Sequence, residues 1–166
     1  MIGAKELSRR FDVRELSEAD VDEVLGLYLE NFQYFRHTET EATREQVLSD
    51  MHDAPPGTDA HSKHFVGLFQ GRELVAVMDV VEGYPRTDVA YLGLLMLRRR
   101  LQGTGLGSEI VREAEACLRA AGFHRVRLAI SADNPQATHF WKKSGYVTIR
   151  ELTRDGLRIL EAEHVL

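Results

Sequence analysis

Cysteine, tryptophan and proline are all scarce in this chain of 166 residues, with one, one and four copies. Each scarcity excludes something. A lone Cys117 cannot close an internal disulfide, so the fold must rest on its core, and a reducing compartment suits it. Long hydrophobic runs are missing too. The longest, Tyr91 to Leu97, falls far short of the roughly 20 residues that span a bilayer. Met1 to Glu6 carries no apolar stretch resembling a secretion signal. Positive charge is not in excess: 21 basic against 26 acidic residues leave a net charge of −5 and no electrostatic footprint for nucleic acid. Repeats and low-complexity segments are absent. What remains, 43% hydrophobic and 28% charged residues, is the balance of a globular protein. These features predict one cytoplasmic domain over residues 1–166, with no membrane or nucleic-acid partner.

Patterning predicts a mixed α+β order. Phe11 to Leu16 reads as a strand, and Ser17 with the acids after it as a helix N-cap. Val21, Val24, Leu25, Tyr28, Leu29 and Phe32 fall on one helical face. A polar link through His37 leads to a second helix over about 40–51. Pro55 and Pro56 lie just beyond it, where proline cannot continue a helix. His64 to Gln70 and Glu73 to Val81 read as strands about a Gly71-Arg72 turn. Val89 to Leu97, apolar on both faces, reads as a central strand. A helix over about 105–121 should bury Leu106, Ile110, Ala114, Cys117, Leu118 and Ala121, and Gly122 stands where a left-handed residue ends it. Then come a strand over Arg125 to Ser131, a helix opened by Asn134-Pro135 and running to about Lys143, and a hairpin about Asp155-Gly156. The hairpin edge could pair with a second copy of the chain.

The stretch from Leu94 to Gly107 carries the chemistry. A buried strand runs into a glycine-rich turn that opens a helix, so backbone N–H groups and the positive helix end converge, as a phosphate or pyrophosphate requires. Glycines at 103, 105 and 107 keep Cβ atoms out of a ligand's way. Arg98, Arg99 and Arg100 either add positive potential or are a solvated charge run. A Walker loop fails for want of lysine before Ser108. A dinucleotide fingerprint is weak, because its third glycine is Ser108 and the loop follows a late strand. The pattern Q/R-x-x-G-x-G/A, here Gln102 to Gly107, remains.

With that turn stand Asn134-Pro-Gln-Ala137, Phe140-Trp141 and Gly145-Tyr146, in order and at fitting distances. Together they resemble the GNAT superfamily of acyl-CoA-dependent N-acyltransferases, over about 11–166 and best over 92–147. The resemblance implies a mostly antiparallel sheet of about seven strands flanked by about four helices, with a splayed parallel pair that binds acyl-CoA. The pantetheine arm would pair with backbone near Leu95 and Leu97. The pyrophosphate would take N–H groups of Gln102, Gly103, Thr104, Gly105, Leu106 and Gly107, with Ser108 beside them. Asn134 would lie along the cofactor, act as a plain helix cap, or do both. The implied reaction is direct attack of a primary amine, on a small molecule or peptide, on acetyl-CoA as co-substrate.

Trp141 stands where the family pattern has tyrosine, the usual proton donor to the departing sulfur, and indole has no proton to release. It packs against pantetheine and acceptor, or it is a core tryptophan. Water, Tyr84 or Tyr91 could serve instead, or no acid at all. The strand Val89 to Leu97 lacks the glutamate that many relatives use as base. Asp79, a costly carboxylate in an apolar strand, is the base, or it pairs with an arginine or caps the protein edge. Asp79, Tyr84-Pro85 and Phe140-Trp141 resemble a bacterial subgroup of unassigned acceptor. Tyr34 and Phe35, with Tyr84, are candidates for the acceptor pocket, whereas Phe32 reads as part of the buried helix face. Missing both the tyrosine and the glutamate leaves open a CoA-binding sensor without turnover. His52, Asp53, His61 and His64 read as a polar loop, since zinc sites bring tighter spacing and often cysteine.

Overall fold

The computed structural model describes residues 1–166. The period-two segments become seven strands: β1 (Asp12–Glu15), β2 (Lys63–Gln70), β3 (Glu73–Glu82), β4 (Val89–Leu97), β5 (Arg125–Ser131), β6 (Val147–Arg154) and β7 (Leu157–Val165). They form one sheet in the order β1-β2-β3-β4-β5-β7-β6. Every neighbouring pair is antiparallel except β4 with β5. Five α-helices flank the sheet: α1 (Val21–Glu30), α2 (Phe32–His37), α3 (Arg44–His52), α4 (Leu106–Ala120) and α5 (Pro135–Lys143). None is long and apolar enough to cross a membrane.

Two cores explain why β3 and β4 are apolar on both faces. On one face Met78, Val80 and Ala90 meet Leu106, Ile110, Ala114 and Leu118 of α4. On the other, Val77, Leu94 and Met96 meet Val24, Leu27 and Tyr28 of α1 and Val47 and Met51 of α3. Asp155 and Gly156 both take positive φ, 51° and 79°, as the expected tight hairpin demands. Gly122, at φ 96°, follows α4 as expected.

The first helical region departs from its sequence reading. Asn31 (φ −106°, ψ 38°) interrupts the helix, and the supposed polar link becomes α2, which raises the helix count from four to five. Restarting the helix rotates its register. Phe35 becomes a core residue at 4% exposure, with its ring 5.1 Å from that of Tyr28, while Phe32 is 48% exposed. That reverses the expected roles of the two rings. Leu27, rather than Leu25 or Leu29, completes the inner face of α1. In α4, Ala121 lies past the helix end and is exposed, and the buried polar residue is Glu115. Glu115 is satisfied there, accepting from the Tyr146 hydroxyl and His164 Nδ1, each at 2.9 Å.

The histidine-rich segment is a loop over 53–59, but its flanking histidines belong to regular elements. His52 ends α3 beside Glu18 at 3.1 Å, and His64 lies inside β2. No three His, Cys, Asp or Glu side chains are arranged so that they could hold a metal ion. His64 bridges two acids, with Nδ1 2.8 Å from Glu15 and Nε2 2.7 Å from Glu82. Both nitrogens donate only in the imidazolium form, and the bond to Glu15 leads in holding the His64 pKa above its ordinary value. Burial works against the Glu82 carboxylate. The Ile2 N–H at 3.0 Å and His64 outweigh it and hold that carboxyl below its usual range.

A histidine raised on folding stabilises below its unfolded pKa, and the gain is lost as pH rises through the folded value. Thermal unfolding should therefore show stability falling as pH climbs from 6 to 9. His64→Gln, which cannot carry that charge, should flatten the fall.

Candidate functional site

The parallel pairing of β4 and β5 covers only Val89 to Tyr91 against Arg125 to Arg127. Past those three pairs β4 runs on to Leu97 and β5 to Ser131 without a mutual ladder. Both strands then lead into helix N-termini, α4 and α5, so the gap opens at the carboxyl ends of a parallel pair. Ligands gather in such crevices in α/β sheets. Leu95 lies on β4 opposite Met78, and Leu97 opposite Ala76.

At the mouth of the gap, Gly103 and Gly105 take φ of 72° and 87°, a conformation that disfavours a side chain. The N–H groups of Gly103, Thr104, Gly105, Gly107 and Ser108 donate to no other group of the chain. Leu106 N–H makes only a long contact, 3.4 Å, to Thr104 Oγ1. These five donors stand free at the start of a fifteen-residue helix, an arrangement that an anion can use.

Two residues of the turn serve differently from that expectation. Gln102 N–H is already used, donating to the Arg99 carbonyl at 3.2 Å. Its side chain turns inward, donating to Asn31 Oδ1 at 2.6 Å and to the Leu97 carbonyl at 3.2 Å. Asn31 also donates to that carbonyl at 3.0 Å, so the α1–α2 joint, the end of β4 and the glycine turn are tied together. Gly107 also serves packing, because a Cβ there would lie 3.2 Å from the Phe140 ring, a tight contact. Of the three arginines, Arg98 pairs with Glu30 and Arg100 with Glu73, while Arg99 stacks over Phe32 at 5.4 Å.

Across the gap, Asn134 caps α5 by accepting from Ala137 N–H at 3.0 Å. Trp141 is half-buried, with edge-on rings on both sides, Phe140 at 4.8 Å and Tyr146 at 5.0 Å.

Asp79 sits where the splay begins. The β3–β4 register slips between Asp79↔Leu94 and Val80↔Leu92, which makes Gly93 an extra residue of β4. A Cβ on Gly93 would stand 2.6 Å from Asp79 Oδ2, so this position needs glycine. Lys63, diagonal to Asp79 across β2, donates to Oδ2 at 2.7 Å. The partner is thus a lysine rather than an arginine. Asp79 is 9% exposed, and its Oδ1 is buried without a partner. Burial pushes its pKa up to about 6, against the pull of Lys63. Asp50 on α3 is also raised by burial, and accepts from the Tyr28 hydroxyl at 2.6 Å and Gln46 at 2.9 Å.

Three tyrosines belong to this side. Tyr34 is 36% exposed over its whole surface, yet burial of its hydroxyl and the charge of Asp50 push its pKa up to about 12. Tyr84 and Tyr91 meet edge-on at 5.5 Å, and burial raises the Tyr91 pKa. Neutral phenols at physiological pH can donate. Phe35, a candidate for the acceptor pocket, is instead in the core behind Tyr34, whose ring it meets at 5.1 Å.

Sequence reasoning missed Lys63, Gly93, Asn31 and Asp50. A single glycine within an apolar strand does signal a bulge, so Gly93 was within reach. The other three carry no local signature.

The acetyltransferase (GNAT) family model matches residues 21–146. An acetyltransferase from Thermus thermophilus is 26% identical, with 94% of this chain and 97% of that one covered at a TM-score of 0.76. The PaiA N-acetyltransferase of Thermoplasma acidophilum, solved in complex with coenzyme A, is 19% identical, with 93% and 99% covered at a TM-score of 0.66.

Replacing Gly93 by alanine should force the Asp79 carboxylate out of its seat. Denaturant unfolding should register a loss of about 1–3 kcal/mol, the usual cost of overpacking.

Proposed function

The chain belongs to the acetyltransferase (GNAT) family, and from that premise we propose that it moves acetyl from acetyl-CoA to a primary amine presented to Asp79. One domain over residues 1–166 carries the reaction. The acceptor is a small molecule or a peptide.

The observation that carries this proposal is the gap between β4 and β5, which opens onto the five free N–H groups at residues 103–105, 107 and 108. Those donors fit a diphosphate, and the unladdered run of β4 toward Leu95 and Leu97 fits an arm that pairs like a strand. Asn134 and Trp141 flank the arm. The co-substrate supplies an acetyl group activated as a thioester. Asp79 Oδ1 takes the proton of the incoming ammonium, a task suited to a carboxyl poised near neutrality. Tyr34 and Tyr84 line the acceptor side in this reading, and Tyr84 is its candidate to return a proton. Trp141 has no hydroxyl to offer. A thiol with a pKa near that of free cysteine, about 8.5, leaves tolerably as its anion, so turnover does not need one.

A sensor that binds CoA without turnover is the rival favoured by Trp141 alone. Free-thiol release from acetyl-CoA, dependent on one amine in a panel of polyamines, amino acids, aminoglycosides and peptides, separates the two. Asp79→Asn should lower kcat/KM by about 10²–10⁴ while calorimetry finds CoA affinity unchanged. Thr104→Asp should do the reverse, weakening CoA binding about tenfold by placing a like charge at the turn. Trp141→Tyr should keep turnover, and a large rise would show that a missing proton donor limits the reaction.

A further inference from the structure

We propose that Lys63 is a positioning residue for proton removal: its ammonium anchors Oδ2 of Asp79 and thereby reserves Oδ1 for the acceptor's proton. This rests on Asp79 as the base.

The geometry separates the two oxygens. Oδ2 is held by Lys63 Nζ at 2.7 Å and backed by Gly93, where even a Cβ would intrude to 2.6 Å. Oδ1 is buried and accepts from nothing. A buried acceptor without a partner is costly, and the other buried acids escape that cost. Asp50 has a donor on each oxygen, Tyr28 on Oδ2 and Gln46 on Oδ1, and Glu115 takes Tyr146 and His164 on its Oε1. An arginine at position 63 could satisfy both Asp79 oxygens with its fork, whereas lysine is a point donor that leaves one free. Lys63 is itself 6% exposed on its side chain, so it is a fixed part of the site and no mobile surface charge.

The proton step balances within the pair. An N–H bond of the acceptor ammonium breaks, an O–H bond forms at Oδ1, and the electron pair stays on nitrogen for attack. Lys63 is not a party to the transfer and stabilises the carboxylate before it. The groups facing Asp79 are Lys63 and His64 from β2, Asp50 from α3, Tyr28 from α1, Tyr34 from α2 and Tyr91 from β4. Lys63 and His64 favour the carboxylate, while burial and Asp50 oppose it. Losing Lys63 therefore leaves the opposition dominant, and Asp79 binds its proton more tightly.

The test is the titration of the Asp79 carboxyl carbon by NMR in the free protein, with the signal assigned through Asp79→Asn. In Lys63→Met the midpoint should rise by about 1–3 pH units, the effect of removing an opposite charge in contact. Lys63→Arg should restore the midpoint, yet recover less turnover because its fork competes for Oδ1. The acid limb of the kcat/KM profile, measured by thiol release, should move up with the midpoint in Lys63→Met. If that variant does not fold, Lys63→Gln takes its place. An unmoved midpoint in a folded variant overturns the role of Lys63, whatever Asp79 does. Full turnover in Asp79→Asn would instead remove Asp79 as base and leave the titration result standing.

Discussion

The site depends on one interruption of the sheet's hydrogen bonding. Backbone groups in a sheet interior ordinarily find partners along the whole strand, but β4 and β5 keep their ladder only as far as Tyr91 and Arg127. At the same level β4 carries its extra residue, Gly93, against β3. A bulge bends its strand and sharpens the local twist, so it turns β4 at the place where β5 leaves it. The opening, the seat of Asp79 and the direction in which β4 delivers its glycine turn all follow from this departure.

Bracing holds the interruption open. Asn31 and Gln102 converge on the Leu97 carbonyl, and Arg98 joins Glu30 to the Leu74 carbonyl. The break between α1 and α2 therefore has a structural use: it frees an asparagine to lock the end of β4. Gly107 against Phe140 brings α4 and α5 close on the far side. In the proposed reaction, rigid walls of this kind would let a thioester carrier and an amine meet without reordering the protein, which is how positioning lowers a barrier.

Buried charge is distributed unevenly. His64 lies between two acids and Glu115 between two donors, each a closed arrangement that contributes to a unique core. Buried ion pairs are weak sources of stability, since desolvation consumes most of their attraction. Asp79 with Lys63 is less favourable still, because one oxygen stays empty. The proposed role of Asp79 as base would give that deficit a use.

Local chemistry was enough to read much of this from the sequence. Alternation and β-branched runs placed the strands, and the double-sided apolarity of Val89 to Leu97 placed β4 in the middle of the sheet. The glycine turn before α4, the Asp155-Gly156 hairpin and the Asn134 cap are all short-range signals, because each is set by the φ/ψ or hydrogen-bond needs of a few neighbouring residues. Relations between distant segments had no such signature. That Lys63 reaches Asp79, that Gln102 spends its N–H and turns its amide inward, and that Phe35 rather than Phe32 enters the core depend on register between strands and on one break in a helix. A one-residue change in either sends a side chain to another face, so these assignments belonged to the tertiary structure alone.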